Sequence, residues 1–473
     1  MKKIIIIVVL GLLVFVSGCK VGPDFVKPEY QSPAEFRYDS ITTDTVVNLR
    51  WWEIYNDKTL DTLIRIALAE NKNVLIAAAR IEAARAAVGY TRADQFPTVN
   101  VLAGVGGGNY AGGGNIANPQ SGNWFAYPEL VWEIDFWGKY RRSTESARAD
   151  LLATEYGRRT VQLGLISAVA STYFQYLDDI SKWNISKQTV ESRDSALSII
   201  QARYNWGVVS ELELNQAQIQ RAIAAVTVPV YRRYVAFDQS ALSILLGRNP
   251  DTIVADADLF NVQVNTDIPT GIPSQLLERR PDILEAQAAY ESQNAKIGVA
   301  VAMRFPSISL TALLGAASPD LQYLTSTGLA WSVGGSLLSP LFQFGKNKRR
   351  VEIERYNTEA ALLNYESSVL QALKDVEDAL ITITTLKEEL IAQKERYDAA
   401  INAEMLSMQR YDRGVTSYLE VVESQRYAFE AQLSYSQTNR DLLTSYIQLY
   451  KALGGGWISE QEEQAAQQAA TAP

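Results

Sequence analysis

The chain repeats itself. Arg203-Tyr204, Gly207-Val208, Ser210 and Leu212-Glu213 return as Arg410-Tyr411, Gly414-Val415, Ser417 and Leu419-Glu420, always 207 residues later. Gly138-Lys139 and Leu246-Gly247 return at the same offset, as Gly345-Lys346 and Leu453-Gly454. Phe96-Pro97-Thr98-Val99 returns as Phe305-Pro306-Ser307-Ile308, and Gly89 returns as Gly298, both 209 residues on. Ordered matches at nearly one spacing are the mark of a tandem duplication. The halves span 60–250 and 270–457, with a linker at 251–269.

Each half keeps one internal order. An alanine-rich helical stretch (77–87; 284–302) is ended by Phe-Pro, since proline disfavours helix in the residue before it. Two short alternating segments follow, then a very long helical stretch, the Arg-Tyr-x-x-Gly-Val turn and a returning helix. Val99, Val101, Ala103 and Val105 alternate with Thr98, Asn100 and Gly104; Leu130, Trp132 and Ile134 alternate with Glu129, Glu133 and Asp135. In the second half Ile308, Leu310, Ala312 and Leu314 alternate with Ser307, Ser309 and Thr311; Leu329, Trp331, Val333 and Leu337 alternate with Ala330, Ser332, Gly334 and Ser336. One apolar and one small or polar face over about 9–11 residues fits a transmembrane barrel strand. A half-buried strand of a soluble sheet has the same pattern. The Gly/Asn-rich stretch 106–123 and the turn-like stretch 316–328 suit the loops of a barrel rim. Four strands cannot close a barrel, and an open edge cannot face lipid. Strands that span therefore require association, and three chains would supply twelve, an even number within the bacterial range.

The long helices carry a second pattern. Val369, Val376, Ile383, Leu390 and Tyr397 fall seven apart; Leu373 and Leu380 fill the matching position until Lys387 and Lys394 interrupt it. A strict seven-residue period makes a coiled-coil seam. In the first half Ile166, Val169, Tyr173, Leu177, Ile180 and Trp183 step by three and four. A helix from Lys139 to Arg203 is about 100 Å long at 1.5 Å per residue.

Composition narrows the chemistry. The 473 residues include no histidine and one cysteine, which removes imidazole from any catalytic or metal site. With 44 Lys and Arg against 53 Asp and Glu, and no basic block, nucleic acid is a poor partner. No glycine-rich nucleotide loop or nucleophile–base spacing suggests an enzyme, and no cofactor is expected. The single cysteine ends a leader. Lys2 and Lys3 precede an apolar run, Ile4 to Val16, broken only by Gly11 and too short to span a bilayer comfortably. Val16-Ser17-Gly18-Cys19 looks like a bacterial lipobox; a plain signal peptide with an incidental cysteine is the alternative. Residues 1–18 are thus expected to be a lipoprotein signal peptide, Cys19 the lipidation site, 19–59 an N-terminal lipidated extended segment, and 458–473 a disordered tail. Acyl chains give a membrane address without a transmembrane helix.

At this point the chain resembles the outer membrane factor family, the TolC-like efflux channels, in the lipoprotein branch that includes OprM. Cys19-Lys20-Val21-Gly22-Pro23-Asp24-Phe25 with Pro28 looks like the branch's opening motif. Trp51-Trp52 with Asp57, Leu60, Leu63, Ala67 and Asn71 matches its next block. Leu276-Leu277-Glu278-Arg279-Arg280-Pro281-Asp282-Ile283 is similar to its most specific signature, and Ser339-Pro340-Leu341-Phe342 with Gly345-Lys346 matches a strand-to-helix joint. The resemblance implies a mainly α fold with membrane β: a homotrimer whose twelve-stranded β-barrel, four strands per chain, is continued by a long α-helical coiled-coil barrel. It implies a bacterial outer-membrane channel, lipid-anchored in the bilayer and extending into the periplasm, that works with a periplasmic adaptor (membrane fusion) protein and an inner-membrane efflux pump to export drugs, metals or other small toxic solutes.

The same resemblance places Arg203, Gly207, Val208 and Ser210, and Arg410, Gly414, Val415 and Ser417, at hairpin tips that face the adaptor. Glycine helix terminators with nothing bound are the plainer reading of each turn. A periplasmic gate would involve Tyr411, Asp412, Thr416 and Glu420. The family often has an acidic residue directly after the second Gly-Val; here it is Thr416, so Asp412 and Glu420 are the nearest carboxylates. A duct for type I protein secretion and a structural lipoprotein spanning the periplasm are the competing readings. Cells given labelled fatty acid should label the wild-type protein and not Cys19→Ala; an unlabelled wild type would remove the lipid anchor.

Overall fold

Asp57 starts the first helix. Its carboxylate accepts the backbone N–H groups of Thr59 and Leu60 at 2.8 and 3.1 Å, satisfying donors that a helix N-terminus leaves free. It also accepts the Tyr173 hydroxyl at 2.7 Å. Helix α1 (Lys58–Glu70) stops at Asn71, whose side chain accepts from Asn73 N–H at 2.8 Å and donates to the Leu245 carbonyl at 2.8 Å. The motif residues Asp57 and Asn71 are therefore caps that also tie distant segments together.

The computed structural model describes residues 19–38, 51–106, 123–255, 257–262, 264, 273, 276–318, 320–326 and 329–455. The leader at 1–18, the interior of the 106–123 stretch, part of the 251–269 linker and the tail at 458–473 lie outside the described residues. After α1 come α2 (Lys72–Ala93), β1 (Thr98–Gly106), β2 (Asn123–Ile134), α3 (Lys139–Asn205) and α4 (Glu211–Leu245). The second half gives α5 (Pro281–Ala302), β3 (Ser307–Ser318), β4 (Leu329–Leu338), α6 (Lys346–Asp412) and α7 (Tyr418–Ala452). Helices α3 and α6 are both 67 residues long, and α4 and α7 are both 35. Pro281 stands first in α5, where a missing N–H costs nothing.

Two strands exceed their sequence patterns. The alternation in β2 becomes visible at Glu129, yet the strand begins at Asn123. Trp124, Phe125 and Tyr127 favour extended backbone, and the β2–β3 register skips the positions around Pro128, which has no N–H to give. Strand β3 runs to Ser318, past Leu314, because Ala316 and Ala317 pair with Ala126 and Phe125 of that extension.

The contacts divide the chain into two compact units. Among the described residues, one comprises those within 19–29, 79–155 and 285–366, and the other those within 30–78, 156–284 and 367–455. Neither coincides with a repeat; each takes matching pieces of both halves. The second unit holds the main apolar core, where Leu60, Ile64, Val169, Tyr173, Leu242, Val376 and Ile447 are fully buried. The seven-residue stripe of α6 supplies Val376 and Ile383, and the three-and-four stripe of α3 supplies Ile166, Val169, Tyr173 and Leu177. The Leu-Leu-Glu-Arg-Arg-Pro-Asp-Ile signature is a clamp in this unit. Buried Arg280 donates to Asp282 at 2.6 Å, to Asp375 of α6 at 3.1 Å and to the Ala452 carbonyl at the end of α7 at 3.0 Å.

The same core buries charge. Asp178 accepts Lys182 at 2.8 Å and Ser436 at 2.6 Å, with Arg440 at 3.4 Å. Burial and the neighbouring Asp179 and Asp178 push the Asp238 carboxyl up to about 8. An unpaired carboxylate is costly in such surroundings, which favours the neutral form of Asp238.

Glycine is required where a turn meets a neighbour. Gly247 has φ +77°, and a Cβ there would sit 2.4 Å from the Glu70 carbonyl oxygen; Gly207 has φ +67° with nothing within 4 Å. Gly207→Ala should cost only the left-handed penalty of about 1–2 kcal/mol. Gly247→Ala should cost clearly more, read as the larger fall in thermal midpoint. Equal falls would contradict the packing at Gly247.

Candidate functional site

The four strands form one antiparallel sheet in chain order. Their register aligns residues of one kind. Val99, Leu130, Ala312 and Val333 stand in one row, Ile134, Ile308 and Leu337 in another, and Ala103, Ala126, Ala316 and Leu329 in a third. These rows share a face, because opposed residues of a ladder point the same way. Asn100, Glu129, Leu313 and Ser332 form a row of the other face. On the apolar face Val99, Val101, Val105, Trp331, Val333 and Leu337 are exposed. Exposed apolar residues gathered on one face mark a surface that meets lipid or another protein. Strands β1 and β4 each keep an unpaired edge among the described residues. No helix among the described residues is long and apolar enough to cross a membrane.

Cys19 lies in the same unit as the sheet, with its thiol exposed. The residues after it are pinned. Val21 N–H donates to the Trp137 carbonyl at 3.2 Å, and buried Arg142 donates to the carbonyls of Val21 and Gly22 at 3.1 and 3.0 Å and to Asp24 at 2.8 Å. Lys20 pairs with Glu145 at 2.6 Å. Gly22, at φ +92°, lies so close to Gly298 that a Cβ would be 2.5 Å from its Cα. The opening motif is thus a docking strap that fixes the position of Cys19.

The two Arg-Tyr-x-x-Gly-Val turns are built alike. Gly207 and Gly414 donate to the carbonyls of Tyr204 and Tyr411 at 2.8 and 2.9 Å; Val208 and Val415 donate to Arg203 and Arg410, both at 2.9 Å. These are paired helix-ending bonds that need a left-handed residue at the glycine, and φ is +67° and +71°. Ser210 caps α4, accepting from Glu213 N–H at 3.3 Å; Ser417 holds the same place before α7 without a side-chain bond. Val208 and Val415 project outward.

The turns touch each other. Arg203 donates to Asp412 at 3.0 Å and lies over the Tyr411 ring at 5.2 Å. Tyr411 is buried, donates to Glu213 at 3.0 Å and packs on Tyr418 at 5.1 Å. Burial pushes the Tyr411 hydroxyl up, and that of Tyr418 up to about 12. Glu420 accepts the Thr416 hydroxyl and pairs with Arg410 at 3.4 Å. Arg203, Tyr411 and Asp412 are therefore brought together, while Thr416 and Glu420 form a second, local group. Sequence reasoning missed Glu213, Tyr418 and the exposed Trp206. Only Glu213 lay inside a repeated motif; Trp206 differs from its counterpart Arg413, so duplication did not flag it.

Comparison with known proteins fits this geometry. The family model for outer membrane efflux proteins matches twice, over residues 63–248 and 272–455. The chain is 32% identical over 464 residues to the probable efflux pump outer membrane protein TtgC of Pseudomonas putida, covering 96% of each. It is 31% identical over 456 residues to the cation efflux system protein CusC of Escherichia coli, covering 93% of this chain and 96% of that one. Among solved structures, the outer-membrane channel OprN superposes with a TM-score of 0.85 at 28% identity, over 93% of this chain and all of that one. With a sheet of this kind, paired helical turns and a match in both halves, the chain belongs to the outer membrane efflux protein family.

Proposed function

We propose that the protein is the outer-membrane exit duct of a tripartite efflux system, a passive channel through which small toxic solutes leave the cell. One observation carries the reading. Among its described residues each chain presents a four-stranded sheet with an exposed apolar face and two unpaired edges. Lipid can cover such a face but cannot satisfy such edges, so the sheet is completed only by further sheets. Three copies give the twelve strands of a closed barrel, with Asn100, Glu129, Ser332 and their neighbours on the inner face.

The other features take places around that duct. Acyl chains on Cys19 anchor the mature N-terminus, and the Arg142 strap holds it beside the sheet. An inner-membrane pump supplies the solute and its energy, and a periplasmic adaptor meets the paired turns, with Val208 and Val415 as apolar contacts and the two glycines allowing close backbone approach. The Arg203–Asp412 bond ties the second turn to the first. With Tyr411, Thr416 and Glu420 nearby, it makes this cluster the gate, held shut while those bonds persist.

Val208→Asp and Val415→Asp change exposed side chains without touching the backbone bonds that form the turns. Both should give stable trimers by native mass in detergent. Export by cells that carry the cognate pump and adaptor should fall to the level of cells lacking the channel. Full export by both variants would make the turns helix stops and nothing more.

A further inference from the structure

The two repeats meet inside the chain at the joint between β2 and α3. There Trp137 stacks on Phe305 with ring centroids 4.5 Å apart, and its indole N–H donates to the Pro306 carbonyl at 2.8 Å. Further along, Arg142 lies 1% exposed against α5 and pairs with Glu145 at 3.1 Å. A Cβ on Gly298 would come within 2.7 Å of its Cγ and Cδ, so glycine is what lets the arginine in.

The duplication supplies the counterparts. Trp137 and Arg142 correspond to Phe344 and Arg349, while Phe305 and Gly298 correspond to Phe96 and Gly89. All four counterparts are exposed, with Phe344 packed only against the exposed ring of Phe342 at 4.6 Å among the described aromatic contacts. Phe344 is 91% exposed and Phe96 57%. The Arg349 side chain is 75% exposed, yet it keeps the same bond to a glutamate three residues on, Glu352, at 2.6 Å. Around Gly89 nothing lies within 4 Å of where a Cβ would be. Phe344 also has φ +48°, a conformation a bulky residue rarely holds. The joint that carries Phe344 follows β4, and Phe96 precedes β1. The sheet order sets those strands three spacings, about 14 Å, apart, so one chain does not bring the two groups together.

We infer that Phe344 and Arg349 of one copy seat on Phe96 and Gly89 of the next, repeating between copies the contact that Trp137 and Arg142 make within each. The occupant of this exposed joint is thus a second copy of the chain, placed head to tail, a contact that closes into a ring when the rotation allows. Phenylalanine has no indole N–H, so ring stacking rather than the hydrogen bond carries the seam. The inference rests on the assembly proposed above and names the residues that join its copies.

Phe344→Cys and Phe96→Cys, combined in the full-length protein, test it. Membranes are treated with a short bismaleimide, the wild type with its single Cys19 and the two single variants serving as controls. Most double-variant chains should run as covalent dimers and trimers on denaturing gels, and the controls should not. Gly89→Trp, which meets nothing in its own chain, should leave the chain folded and abolish the trimer by native mass. A trimeric wild type whose double variant does not cross-link, or which tolerates Gly89→Trp, overturns the seam while leaving the assembly standing. A monomeric wild type would instead remove the assembly itself.

Discussion

A strand edge in hydrocarbon leaves N–H and C=O groups with nothing to bond, and each such group costs several kcal/mol. In this protein that cost falls on β1 and β4, which bound a sheet whose apolar face is exposed. Much else follows from it. A sheet of four strands does not close alone, and in the assembly proposed above its edges are completed by further copies.

Much of this was legible in the residues. The offset of 207 pairs Gly138 with Gly345 ahead of the long helices, and Gly207 with Gly414 and Gly247 with Gly454 at helix ends, and all six take positive φ. The alternation in β1, β3 and β4 predicted their faces, and of the heptad stripe Val369, Val376 and Ile383 are buried while Leu390 and Tyr397 are half-buried. Boundaries were less legible. Pro128 and three aromatic residues masked the first half of β2, because period-two alternation fails where both faces carry large side chains. The partition into compact units was not legible at all. It depends on which helix segments pack together, and a repeat in sequence carries no information about that.

The candidate site divides in the same way. The turns announced themselves through glycine and the residues repeated around it, which are backbone requirements and so leave a sequence trace. Their electrostatics did not. Arg203 meets Asp412 and Tyr411 meets Glu213 across nearly two hundred residues or more, and no local spacing points to either bond. The family motifs are mostly structural. Asp57 and Asn71 cap helices, Arg280 clamps α6 and α7, and Gly22 admits a strap beside Gly298. Motifs of this kind identify the scaffold and say little about the solute it passes.

In the proposed assembly the sheets enclose a water-filled path, which single-channel recording in planar lipid bilayers would detect. Purified protein of verified oligomeric mass should produce discrete, voltage-driven conductance steps, short-lived or small where the turns hold the gate shut, and larger when the Arg203–Asp412 bond is removed by Asp412→Ala. Assemblies that insert into the bilayer yet conduct no ions, in both the wild type and Asp412→Ala, would contradict the channel.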